Sequence, residues 1–106
     1  MKTSEKQVAS DVAQFLNKFL KLYPEYEGRD FYITGESYAG HYIPSIAYEL
    51  KIIQKDSLNL NFRGIAIGNG IVSARHQYPE HPRFLYENGM VNREEFLMLK
   101  GCMTGC

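Results

Sequence analysis

Neither sign of charge is in excess in this 106-residue chain, where twelve basic residues are matched by twelve acidic ones. A net charge of zero leaves no electrostatic footprint for nucleic acid or an anionic membrane, so neither partner is expected. No apolar run approaches the roughly 20 residues that a membrane span needs. The N-terminal Met1-Lys2-Thr3-Ser4-Glu5-Lys6 is polar and leads straight into a helical pattern, so a soluble piece without a secretory leader is expected. Cysteine is confined to Cys102 and Cys106. A C-x-x-x-C pair with no histidine or further cysteine beside it is not a zinc pattern, so no metal or cofactor is expected. The pair reads equally as two free thiols or as halves of disulfides whose partners lie elsewhere, and composition does not choose. No Asn-x-Ser/Thr triplet occurs, so N-glycosylation within the segment is not expected. Internal repeats and low-complexity stretches are absent too. What remains is ordinary globular composition, 44% apolar and 23% charged, enough for one domain with one core.

The order of elements is informative. Ser4-Glu5-Lys6-Gln7 reads as a capping box. Val8, Val12, Phe15, Leu16, Phe19, Leu20 and Tyr23 then recur at helical spacing, and Pro24 ends the pattern. After a turn through Gly28, Phe31-Tyr32-Ile33-Thr34 reads as a short strand buried on both faces, ending at Gly35. Ile43, Ile46, Ala47, Leu50 and Ile53 mark a second helix, which Pro44 either kinks or restarts. A polar connection, Asp56 to Asn61, leads to a second strand, Phe62 to Ile67, closed by Gly68-Asn69-Gly70. Helix, strand, helix, strand is the signature of a parallel sheet with crossover helices, an α/β arrangement. Beyond Gly70 the pattern weakens. Phe84 to Glu87 suits a helical turn capped by Asn88-Gly89, and Asn92-Arg93-Glu94-Glu95 opens a further helix with Gly101 as its stop.

Chemistry concentrates in Thr34-Gly35-Glu36-Ser37-Tyr38-Ala39-Gly40. A serine flanked by small residues between a strand and a helix is a nucleophile elbow. So tight a turn forces the residues two places either side of the serine to be small, and Gly35 and Ala39 comply. The strict G-x-S-x-G pattern wants glycine at 39; here Ala39 stands with Gly40 behind it, a difference of one methyl. A free serine hydroxyl is a poor nucleophile, so it needs a base and donors placed for the developing oxyanion. The Tyr38 N–H is one candidate donor, helped by the potential of the helix start. Glu36, a carboxyl group beside the nucleophile, suggests that part of the substrate is recognised there. Plain βα turns also use Gly and Ser, but the strand before this one and the helix after it favour the elbow.

The longer string Gly35-Glu36-Ser37-Tyr38-Ala39-Gly40-His41-Tyr42-Ile43-Pro44 resembles the active-site signature of the serine carboxypeptidase family. Asp11, Phe15-Leu16, Phe19, Tyr23-Pro24-Glu25-Tyr26 and Phe31 to Thr34 resemble the segment leading into it. Gly64 to Gly70 resembles the next strand and its Asn-Gly loop, and Gln77-Tyr78 with Phe84 to Val91 resembles the approach to a helical insertion above the active site. The resemblance implies a segment of an α/β-hydrolase fold. Residues 1–75 would form central βα units with the elbow, and residues 76–106 the start of the helical insertion. It implies Ser37 as the acyl-forming nucleophile and Tyr38 as an oxyanion donor. Glu36 would bind the free carboxylate of a peptide or protein C-terminus and share a proton with it, which fits activity in acid, because two carboxyl groups in contact resist joint ionisation. It further implies a metal-free enzyme of the vacuole, lysosome or secretory route, and it tilts Cys102 toward a disulfide.

The resemblance also implies what lies elsewhere. In this fold the acid and histidine of a triad follow the serine, and the family's lie far beyond Cys106; a second oxyanion donor precedes Met1. Asp56 with His76 or His81 has the right order for an internal triad, but Asp56 falls at the wrong end of the sheet and both histidines lie in an irregular stretch. His41 reads as a packing residue. The chain alone is therefore expected to be inactive, with the remainder of the hydrolase domain required. Two alternatives stand: a truncated, non-catalytic relative acting as a binding module or a non-functional fragment, and an acyltransferase using the same elbow. Two strands with open outer edges also predict that the isolated chain aggregates or stays molten.

Overall fold

In the computed structural model, which describes residues 4–54 and 57–103, Ser4 caps the first helix, α1 (Glu5–Leu22), with its hydroxyl accepting from the Gln7 N–H at 3.4 Å. The chain forms two compact units, Met1–Val72 and Ser73–Cys106. Asp56 and Cys106, singled out above, lie outside the described residues.

In the first unit, α1 ends at Leu22, where the Tyr23 N–H still reaches the Phe19 carbonyl and Pro24 opens a short 3₁₀ turn to Tyr26. The face it buries is not centred where the large residues suggest. Ala9, Ala13, Leu16 and Leu20 are buried, whereas Phe15 is 62% exposed. The two alanines let a neighbouring helix come close, and the core forms around them. Strand β1 (Asp30–Glu36) runs two residues further than the expected Thr34, through Gly35 to Glu36.

Helix α2 (Ala39–Tyr48) continues through Pro44 and neither breaks nor restarts there. It then widens into a π turn, Glu49–Ile53, that buries Leu50 but leaves Ile53 exposed, contrary to the even stripe read from the sequence. Buried Glu49 accepts a hydrogen bond from the Gln54 side chain at 3.1 Å, which offsets the cost of removing a carboxylate from water.

Strand β2 (Asn61–Gly68) pairs parallel with β1, Ile33 opposite Ile65 and Glu36 opposite Gly68, with one bulge that inserts Arg63. Asp30 takes up the bulge, accepting from Asn61 at 2.6 Å and from Arg63 at 3.1 Å. The core gathers α1, Ile46, Leu50 and Leu58 against Phe31 and Ile33 of one sheet face. The expectation of a strand buried on both faces fails: along β1, half-buried Phe31 and Ile33 alternate with exposed Tyr32 and Thr34. Among the described residues of this unit, a helical layer covers one face only.

The second unit is helical. Short α3 (Ala74–Gln77) and a 3₁₀ turn precede α4 (His81–Glu87), which starts three residues earlier than expected because Pro82 suits a first turn. Its C-terminus is a Schellman cap, with Met90 N–H to the Leu85 carbonyl at 2.9 Å, Gly89 N–H to Tyr86 at 3.0 Å, and Gly89 left-handed at φ 67°. Helix α5 (Arg93–Met103) opens on a reciprocal box: Asn92 Oδ1 accepts from the Glu94 and Glu95 N–H groups, and Glu95 Oε2 accepts from the Asn92 N–H at 2.8 Å. Gly101 does not stop this helix, which runs on through the exposed Cys102.

Candidate active site

The backbone alone sets Ser37 apart. It follows the last residue of β1 and adopts φ 59°, one of two non-glycine residues in the left-handed region among those described. For an L-residue that conformation costs about 1–2 kcal/mol, and it persists only where the surroundings over-determine it. Here they do. The Ser37 N–H donates to the Gly68 carbonyl at 3.0 Å, and the Ser37 carbonyl accepts from Ile71 at 2.9 Å and Gly40 at 3.1 Å. The serine is exposed, at the end of the sheet where both strands terminate.

The small residues around it have separate reasons. A methyl built on Gly35 would sit 2.7 Å from the Ala39 methyl and 2.9 Å from Ile43 Cδ1, so Ala39 already fills the space that Gly35 leaves. A methyl on Gly40 would lie 2.5 Å from the Ile71 carbonyl oxygen and 2.7 Å from its nitrogen, and backbone cannot swing aside as a side-chain tip can. Gly40 is therefore demanded by the loop after β2, a neighbour about thirty residues away that a local pattern does not display.

Tyr38 occupies the position before α2, and its N–H donates to no acceptor among the described residues. Its ring packs on His41 with centroids 4.8 Å apart and meets Tyr42 edge-on at 4.9 Å. His41 is thus engaged in aromatic packing on the first turn of α2. Glu36, the last residue of β1, is exposed and extends over Gly68, whose Cα would carry a methyl 3.9 Å from Glu36 Cγ. The elbow thus gathers a serine hydroxyl, an unengaged backbone N–H at a helix start and a carboxylate on consecutive residues.

The other histidines have local partners in the second unit. His76 Nδ1 lies 2.7 Å from the Ser73 hydroxyl, and the His81 ring lies 5.3 Å from that of Tyr78. Among the described residues, no group of three or more His, Cys, Asp or Glu is arranged to hold a metal ion. No helix there is long and apolar enough to cross a membrane.

Sequence reading passed over Asn69, Gly70 and Ile71 as partners of the elbow. Asn69 is the second left-handed residue, at φ 46°, and Gly70 lies with its would-be methyl 3.5 Å from Gly40 Cα. The signal was present as an Asn-Gly pair closing a strand, but it reads as a turn and not as half of a site.

The chain is similar to known proteins along nearly its whole length. The family model described as serine carboxypeptidase matches residues 1–105. A pheromone-processing carboxypeptidase kex1 of Aspergillus fumigatus is 46% identical over 92 residues, 82% of this chain and 15% of the relative. Serine carboxypeptidase-like 49 of Arabidopsis thaliana is 38% identical over 104 residues, 96% of this chain and 20% of the relative. The crystal structure of Kex1Δp, a prohormone-processing carboxypeptidase from Saccharomyces cerevisiae, superimposes with a TM-score of 0.85 at 26% identity, covering 99% of this chain and 23% of that one. The chain thus spans about a fifth of the length of the relatives it matches.

Proposed function

The chain belongs to the serine carboxypeptidase family, with the fold of an α/β-hydrolase segment, and from that premise we propose that it carries the nucleophile of a serine-type carboxypeptidase. Ser37 Oγ attacks the carbonyl carbon of the last peptide bond. The C–N bond breaks, the amine leaves with a proton as a free C-terminal residue, and water then releases the peptide from the acyl-ester. The Tyr38 N–H faces the oxyanion that forms in each step. Glu36 takes the substrate's terminal carboxylate through a shared proton. The observation that supports this reading is the strained backbone of Ser37, held at φ 59° between a strand end and a helix start.

The histidine and acid that complete the machinery are supplied by chain outside these residues, so the 106-residue segment is inactive by itself. The compartment that fits is the vacuole, the lysosome or the secretory route, and the substrates are peptides trimmed at their C-termini. Relatives named for pheromone and prohormone processing support that substrate class.

Fluorophosphonate labelling tests the assignment. A whole carboxypeptidase domain carrying this segment is expected to label at Ser37, and Ser37→Ala to lose labelling and about 10⁶-fold in kcat. The isolated segment is expected not to label. Labelling of the segment that vanishes in Ser37→Ala would place a working base inside it and overturn the inactivity. Glu36→Gln provides the second check: KM should rise with pH in the parent, because the shared proton is lost, and should stay flat in the variant. Parallel pH profiles would remove Glu36 from carboxylate binding.

A further inference from the structure

The left-handed backbone of Ser37 is not held by its own elbow alone. Of the three hydrogen bonds to its peptide groups, two involve the neighbouring strand and the loop after it: the Gly68 carbonyl accepts from the Ser37 N–H at 3.0 Å, and the Ile71 N–H donates to the Ser37 carbonyl at 2.9 Å. Glu36 and Gly68 are in register, so Ser37 and Asn69 each stand one step beyond a paired strand end. Both are left-handed, at φ 59° and φ 46°. The chain bends at Asn69 after β2, and the Ile71 N–H meets the Ser37 carbonyl. The missing side chain on Gly40 lets the two turns approach, since a methyl there would strike the Ile71 backbone at 2.5 Å.

We propose that the loop Gly68–Ile71 is the clamp that keeps the nucleophile in its strained conformation, with Asn69 acting as a positioning residue through its backbone. The proposal rests on the reading of Ser37 as nucleophile. It extends that reading to a residue whose role is conformational. Asparagine tolerates the left-handed region better than other non-glycine residues, and a β-branched side chain does not. A loop forced out of that turn releases the Ile71 bond, lets Ser37 relax, and displaces Oγ from its line of attack.

The test uses Asn69→Val and Asn69→Gly in a whole carboxypeptidase domain carrying this segment, beside the parent and Ser37→Ala. Displacement of a reacting group by about 1 Å costs on the order of 10²-fold. Asn69→Val is therefore expected to slow fluorophosphonate labelling and kcat by that order with KM little changed, and Asn69→Gly to restore the rate. Labelling of Asn69→Val at the parental rate overturns the clamp. A Gly variant as slow as Val overturns the backbone role in favour of the side-chain amide. Should Asn69→Val not fold, amide hydrogen exchange in the parent decides: slow exchange at Ser37 and Ile71 supports the clamp, and free exchange at either defeats it. A parent that fails to label at Ser37 removes the nucleophile reading, while the exchange measurement still judges the clamp by itself.

Discussion

The two units are built on different physics. Residues in Met1–Val72 depend on neighbours far off in the chain: α1 buries Ala9, Ala13, Leu16 and Leu20 against α2 and the sheet, β1 pairs with β2, and the elbow leans on Ile71. In Ser73–Cys106 most devices are local: a Schellman cap, an asparagine box and an i,i+4 ion pair. The stack of Tyr86 on Phe96, with centroids 5.0 Å apart, ties α4 to α5, and Pro82 is its one buried residue among those described. Burial of apolar side chains contributes a few kcal/mol each, whereas caps and exposed pairs contribute about one or less. The first unit should accordingly respond to mutation as a block and the second piece by piece.

Three substitutions break or sharpen that contrast, each followed by chemical denaturation and amide exchange in a whole domain carrying the segment. The largest effect belongs to Leu16→Ala, expected to cost about 2–5 kcal/mol by lost transfer and the cavity left behind. Exchange should quicken throughout α1, α2 and β1 together. A response confined to one turn of α1 would show that the first unit is not a block. Asn92→Ala comes next, at about 1 kcal/mol, with faster exchange in the first turn of α5 and nothing beyond it. Spread of that effect into α4 would make the second unit cooperative after all. Arg83→Ala is the smallest: its 2.8 Å bond to Glu87 joins two exposed side chains, and no measurable loss of stability is expected. A clear loss would mean that the pair fixes α4 more firmly than solvent exposure suggests.

The same contrast explains what was legible in the sequence. Local signals read true: Ser4 and Asn92 as caps, Pro24 as a stop, Asn88-Gly89 as a helix end, and two parallel strands alternating with helices. Readings that required knowledge of packing went astray. Phe15 looked like core and is exposed, because the alanines beside it set the approach of α2. Gly101 looked like a stop, yet α5 passes through it. Tyr32 looked buried on the strength of a short apolar run, but its face of the sheet is uncovered here, with the residue 60% exposed. At the site, Gly35, Ser37 and Ala39 announced a tight turn. Ile71 did not announce itself, because the contact it makes is with a segment about thirty residues earlier and leaves no local spacing to read.

The contact between Gly35 and Ala39 also bears on how such a motif tolerates change. The gap between them admits one methyl group, and supplying it from position 35 instead of 39 would also require the Ile43 Cδ1 tip, 2.9 Å away, to give way. Position 39 can carry alanine only while position 35 carries none, so the two sites are a coupled pair in which each forbids in the other what it takes for itself. Gly35→Ala alone should be intolerable, and the exchange Gly35→Ala with Ala39→Gly much less so. Gly40 has no such partner, since what it faces is main chain. A strict spelling of the motif treats the three positions alike. Drift in this neighbourhood should instead run in pairs at 35 and 39 and stand still at 40.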